Sequence, residues 1–292
     1  MRPVLLTALL LGLGLSVAQA PRSATLLRLG SDAANATVVG SFDGRWRQAD
    51  GQVYARDNMK ELEGPVGIAN RSFTVYGLLG AVGRGQSGAQ AAAPADVCGW
   101  NRVTPFSARL TGPTPRPLYA LNAPWNPQPR PVGAITPTTA HLQTIASEAR
   151  KLGLTTAPRL RDIQQALRVD LDGDGRLEVI LTANNPNYAV ADGAANGQYA
   201  QQPGHYGMVV VRKLLSDTQL RTFVLRSGLY TTRDAEQSPR MYQFRIGAIL
   251  DLDGDGRMEV IVDDWVHEGI GATVWRWQDG RFVKVLDWGC GV

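Results

Sequence analysis

The sequence predicts a mainly β protein assembled from antiparallel four-stranded units, with one helix near residues 138–153. Short apolar, β-branched runs punctuated by Gly and Asp-Gly turns give the strands. Two nearly identical acidic runs, Asp170-Leu-Asp-Gly-Asp-Gly-Arg-Leu-Glu178 and Asp251-Leu-Asp-Gly-Asp-Gly-Arg-Met-Glu259, lie 81 residues apart, and each leads straight into a further strand signal, Val-Ile-Leu or Val-Ile-Val. That repetition marks two copies of one supersecondary unit.

The chain opens on Arg2 and an apolar run from Val4 to Val17 that ends in Ala18-Gln-Ala20. This is the form of a secretory signal peptide covering residues 1–20, with Ser16-Val-Ala18 as a competing cleavage motif. The run is shorter than the roughly 20 apolar residues a spanning helix needs, and no later segment is apolar enough to cross a bilayer. The mature protein is expected to be secreted or held in the periplasm or cell envelope, with no stable membrane insertion. A formal charge of +4 is spread along the chain with no basic stripe, which argues against a nucleic-acid partner. Two cysteines, Cys98 and Cys290, in an exported chain most simply form one disulfide; the alternative is a pair of unpaired thiols.

Residues 21–137 read as an N-terminal region rich in strands and loops. Ala24–Val82 alternates apolar runs such as Thr37-Val-Val and Phe73-Thr-Val-Tyr with turns such as Phe42-Asp-Gly-Arg-Trp46. Gly83–Ala95, rich in Gly and Ala, and the proline-dense stretch 104–137 predict loop or an extended wrapping segment. Residues 138–292 read as a helix followed by two β repeats, 163–226 and 243–286, the whole chain forming one integrated structure. The helix is predicted from a Thr138 or Thr139 N-cap, apolar Leu142, Ile145, Ala146 and Ala149 at helical spacing, and Gly153 as the stop. Repeat one predicts strands over Ile163–Val169, Val179–Ala183, Met208–Lys213 and Leu220–Leu225. Repeat two predicts Gln243–Leu250, Val260–Asp264, Thr273–Trp277 and Phe282–Leu286, the last pair joined by a Gln278-Asp-Gly280 hairpin turn. Each repeat fits a four-stranded antiparallel meander.

The acidic runs carry the strongest chemistry. Each packs four carboxylates into nine residues, and neighbouring carboxylates about 4 Å apart near a protein surface repel by roughly 4 kcal/mol per pair. Oxygen ligands at positions 1, 3 and 5, a Gly at position 6 and a carboxylate at position 9 describe a site for a hard cation, calcium in preference to magnesium. An EF-hand is excluded at position 12, where Leu181 and Val262 replace the bidentate Glu, and by flanks that are β-branched where helices are required.

The nine-residue pattern between two strands resembles the calcium loops of FG-GAP and VCBS-type repeats, the units of integrin-like β-propellers. The resemblance covers about residues 163–286 and implies a β-propeller-like or incomplete-propeller fold with two Ca2+ sites. It implies that Asp170, Asp172, Asp174 and Glu178, with the Arg176 carbonyl, hold one ion. Asp251, Asp253, Asp255 and Glu259, with the Arg257 carbonyl, would hold the other. Glu at the ninth position, where the family often has Asp, is a mild departure, and two recognisable units are fewer than the at least four blades of a typical propeller.

Other chemistry is sparse, and no catalytic residue is assigned. Gly83-Arg-Gly-Gln-Ser-Gly88 spells G-x-G-x-x-G, but Pro94 intervenes before a helix of useful length and no acid follows about 20 positions on. His141, His205 and His267 form no H-E-x-x-H, and no Ser sits in G-x-S-x-G. Trp275 and Trp277 fall on one sheet face, in a position to pack between sheets or to present a sugar-binding platform. The expected function is a calcium-binding β-repeat protein that serves as a binding or structural module for a protein or glycan ligand. The alternative is a secreted hydrolase with an acidic active site, for which Asp263, Asp264, His267 and Glu268 are the candidates.

Overall fold

The structure, a computed structural model, describes residues 23–49, 68–89, 91–92, 102–112, 117–185, 204–230, 243–266 and 269–291. The expected leader at residues 1–20, Cys98 and His267-Glu268 lie outside the described residues, as does the side chain of Cys290, so the expected disulfide does too.

The fold is mainly β with antiparallel pairing throughout. The N-terminal sheet holds eight strands: β1 (Ala24–Leu29), β2 (Asn35–Phe42), β3 (Trp46–Gln48), β4 (Ser72–Gly77), β5 (Gly80–Ser87), β6 (Ala91–Ala92), β7 (Arg102–Leu110) and β8 (Tyr119–Leu121). Pairing of β2 with both β1 and β7 returns the hydrogen bonding to its start, so β2, β1, β8, β4, β5 and β7 form a closed circuit. Four strands here, β5 to β8, fall wholly or partly where loop was expected. Glycine-rich β5 is a strand because its glycines admit β7: a Cβ at Gly83 would fall on the Arg109 carbonyl, and one at Gly85 on the Phe106 ring. Pro105 is tolerated in β7 where pairing passes from β5 to β2, at Ser87–Phe106 and Asn35–Pro105. The G-x-G-x-x-G run therefore lies largely in a strand. The wrapping reading holds for 122–132, which carries no strand and runs against the acidic loops.

The middle sheet takes β9 (Gly133–Ala134), β10 (Ile163–Val169), β11 (Glu178–Asn185), β12 (Tyr206–Ser216) and β13 (Gln219–Leu229) in the order 13-12-11-10-9. The third takes β14 (Gln243–Leu250), β15 (Glu259–Val266), β16 (Gly269–Gln278) and β17 (Arg281–Gly291) in sequence order. Both are the four-stranded meanders expected, with longer strands and one added edge strand. Helix α1 (Thr139–Lys151) has Thr138 as its N-cap, whose N–H donates to His141 Nδ1 at 3.1 Å. It is followed by a 3-10 turn, Leu160–Asp162. No helix among the described residues is long and apolar enough to cross a membrane.

Alternation along the strands stacks these layers. Met208 and Val210 of β12 face Ile145 and Ala149 of α1, whereas Val209 and Val211 face Ile246, Ile249 and Val260 of the third sheet. On that sheet's opposite side Ala248, Leu250, Ile261 and Val274 pack against Leu27, Val39 and Tyr119. The third sheet is thus the shared middle of the core. Its edge strand β14 is covered by side chains of the middle sheet: Asn184 bonds both backbone groups of Phe244 at 2.9 Å, and Gln165 does the same for Ile246 at 2.7 and 3.1 Å. Amide side chains here occupy backbone groups that would otherwise pair with another chain.

A buried ion pair fixes the third sheet to the N-terminal one. Asp263, with no exposure, accepts from Arg28 Nε at 2.6 Å and from the Tyr119 hydroxyl at 2.8 Å. The β14 bulge at Gly247 makes room: a Cβ there would stand 2.5 Å from the Tyr119 ring. Replacing Arg28 by Met strands the Asp263 charge in the core and is expected to cost about 3–5 kcal/mol, with partial recovery in R28M/D263N. Urea denaturation measures both; an R28M midpoint equal to wild type would show the pair to be dispensable.

Candidate metal centres

Each acidic run turns the chain from the first to the second strand of its meander, and main-chain N–H groups organise it. In loop one Asp170 Oδ1 accepts from Gly173 N at 2.7 Å and Oδ2 from Gly175 N at 3.1 Å; in loop two Asp251 accepts from Gly254 N at 2.6 Å and Gly256 N at 3.0 Å. The glycines Gly173, Gly175, Gly254 and Gly256 all have positive φ, which lets the chain wrap the first carboxylate. The ninth-position acid closes the turn: Glu178 Oε2 accepts from Leu171 N at 2.7 Å, and Glu259 Oε2 from Leu252 N at 2.8 Å. Asp174 and Asp255 accept from Arg176 N and Arg257 N, both at 2.8 Å.

Carboxylate oxygens converge in both places. Ligand atoms of Asp170, Asp172 and Glu178 lie within 4.8 Å of one another, as do those of Asp251, Asp253 and Asp255. The set is all oxygen and all acidic, which suits a hard divalent cation. The Arg176 side chain points away to Asp217, 2.6 Å from its Oδ1. A wrapping segment ties the loops together. Arg130 donates to the carbonyls of Asp170 and Leu171 in loop one at 2.6 and 2.9 Å and to Gly256 in loop two at 2.7 Å, and Met258 N reaches Leu171 O at 2.8 Å. Trp125 Nε1 donates to Asp251 O at 2.9 Å and Asp251 N to Pro127 O at 2.6 Å, which covers loop two.

Each loop also faces a basic residue that the sequence reading missed. Lys213 lies one step along β12 from the Val179–Arg212 pair, opposite Glu178; Arg276 lies one step along β16 from the Val260–Trp275 pair, opposite Glu259. Lys213 Nζ is 2.6 Å from Glu178 Oε1, 2.9 Å from Asp172 Oδ1 and 3.7 Å from Asp174 Oδ2, and sits over the Trp277 ring at 5.4 Å. Arg276 grips the outer loop instead, Nη1 to Asp253 Oδ2 at 2.7 Å and Nη2 to Asp255 Oδ2 at 2.5 Å, with Nε 3.9 Å from Glu259 Oε1. That last distance is too long for a hydrogen bond. Among the described residues Glu259 Oε1 has no hydrogen-bond partner, although the residue is wholly buried.

The electrostatics follow. Burial pushes Glu259 well above the usual carboxylate range, and Asp253, Asp251 and Asp255 push it further. Burial, then Asp255, raises Asp253 to about 6, and burial raises Asp251. In loop one burial raises Glu178, opposed by the Leu171 N–H and by Lys213.

The other expected site residues do not assemble. Asp263 is committed to Arg28 and Tyr119, and Asp264, raised to about 6 by burial, lies 3.3 Å from Arg226. Trp277 is buried with Phe223 and Phe282 at ring separations of 5.3 and 5.0 Å, Trp275 packs against the core between the two meander sheets, and Trp288 is buried on the other side of the third sheet. Of the two tryptophans for which packing between sheets was one expectation, Trp277 is buried and Trp275 is partly buried against the core. Compared with protein-family models, with characterised proteins and with solved structures, the chain matches none.

In the metal-free chain these carboxylates make stability fall with rising pH. Folding raises their pKa values, so the folded state holds more protons than the unfolded state between the ordinary 3.8 of an Asp and the value of about 6 at Asp253. In EGTA the urea midpoint is expected to be higher at about pH 5 than at about pH 7.5, with a smaller difference in Asp253→Asn. A midpoint that rises over that interval would contradict the burial of these groups.

Proposed function

We propose that the protein is an exported calcium-binding β-repeat protein of the FG-GAP/VCBS kind, with a propeller-like or incomplete-propeller arrangement, acting as a binding or structural module at or outside the cell envelope. The observation that carries the reading is Glu259 Oε1, buried and without a hydrogen bond beside the converging carboxylates of Asp251, Asp253 and Asp255. An unpaired buried charge costs several kcal/mol, and a divalent cation removes that cost. Calcium fits the donor set better than magnesium, since a flexible loop of carboxylates and carbonyls meets its larger and less regular coordination. The Arg257 carbonyl at the seventh position would complete the set.

Support for the repeat reading comes from two stacked meanders that each turn at the same loop, a local feature of blades in a propeller. The leader and the disulfide between Cys98 and Cys290 belong to the same proposal, because calcium is abundant and thiols oxidise outside the cell. Calcium in this reading is structural: it holds the corner of a meander whose exposed loops take a protein or glycan ligand.

Thermal unfolding with calcium, with magnesium and with EGTA tests this. Calcium at about 100 times its Kd is expected to add about 2.7 kcal/mol, magnesium much less, and Asp253→Asn is expected to lose the effect. A midpoint indifferent to calcium would remove the basis of the proposal.

A further inference from the structure

We propose that the two loops, alike in sequence, are not alike in occupancy: the ammonium of Lys213 is the cation of loop one, and only loop two takes a divalent ion, so that the chain binds one calcium. The inference rests on the calcium reading above and refines it.

The register makes Lys213 and Arg276 counterparts, each facing the ninth-position glutamate from the third strand of its meander. Their heads end in different places. Lys213 is buried, with 3% of its side chain exposed, and its three-donor ammonium meets Glu178 and Asp172 at hydrogen-bonding distance with Asp174 just beyond. Those are three of the four acids in the nine-residue motif, including Glu178 Oε1, the oxygen that corresponds to the orphaned one in loop two. The fourth, Asp170, takes two main-chain N–H bonds with Arg130 3.9 Å away, and Asp174, the most distant of the three, is also exposed to water. Loop one is therefore complete without a metal.

Loop two lacks that closure. The planar fork of Arg276 holds only the Oδ2 atoms of Asp253 and Asp255, and its Nε also finds no hydrogen-bond partner. Asp251 and Asp253 are buried where Asp170 and Asp172 are half-buried, so water does less for them. The remaining demand is met by a small ion of charge two, and the longer guanidinium, with a fifth of its side chain exposed, can stay on the outer oxygens.

Calorimetric titration of the full chain with calcium chloride decides the matter. Wild type is expected to bind one equivalent, lost in Asp253→Asn and kept in Asp172→Asn. Lys213→Met is expected to bind two, and in EGTA to unfold at a lower temperature than wild type, with calcium restoring it. Two equivalents in wild type would overturn the inference and leave the calcium reading standing. One equivalent lost through Asp172→Asn and kept in Asp253→Asn would overturn the assignment of the loops. No binding in wild type would overturn both. Should Lys213→Met fail to fold, the two aspartate variants decide alone.

Discussion

A glutamate without solvent exposure begins the second strand of each meander, and the rest of the corner depends on satisfying it. Glu178 and Glu259 both spend Oε2 on the N–H of the loop's second residue, a local bond that closes the nine-residue turn. Each other oxygen points into a place where water does not enter, and there the balance of magnitudes is lopsided. A strand hydrogen bond contributes about 1 kcal/mol net, whereas an uncompensated buried carboxylate costs several. The corner is thus stable only to the extent that positive charge reaches Oε1. In loop one that charge comes along the sheet from Lys213; in loop two Arg276 stops 3.9 Å short.

A second constraint makes the two corners one object. Arg130 spans three carbonyls, two in loop one and one in loop two, with a rigid fork that a lysine could not reproduce. It stands in the wrapping segment that also supplies Trp125 and Pro127 to loop two. Proline suits this segment because the chain there bonds outward to the loops and forms no ladder of its own. The same residues that hold the loops together shut water out of loop two, so cohesion and desolvation have one source. The Arg28–Asp263–Tyr119 cluster extends the attachment to the N-terminal sheet, through a bulge that only Gly247 permits.

Much of this was legible in the sequence where a signal is local. The Asp-x-Asp-Gly-Asp-Gly runs, their β-branched exits and the spacing of Ile145 and Ala149 are short-range patterns, and strand Gln243–Leu250 and the meander order follow from them. Glycine-rich β5 was not legible, because Gly83 and Gly85 are required by the close passage of β7 from more than twenty residues away. Nor were Lys213 and Arg276. Glu178 and Lys213 stand 35 residues apart and Glu259 and Arg276 17 apart, so no common spacing joins them. Only the register of the second and third strands shows that they are the same residue position in two copies of the repeat.

That position explains how one motif arrives at two electrostatic solutions. A lysine head is compact and strongly hydrated, and it enters a pocket of carboxylates end-on; an arginine head is a wide plane that matches oxygens side by side and stays at the rim. Trp277 favours the first arrangement by lying under the Lys213 ammonium, its own ring fixed by Phe223 and Phe282, so part of the cost of burying that charge is met by an aromatic face. Among the described residues no aromatic face supports Arg276 in that way, and its Nε has no hydrogen-bond partner. Trp277, which sequence patterning offers as part of a ligand platform, therefore has a structural task that reaches back to the acidic loop: it stabilises the Lys213 ammonium that faces Glu178.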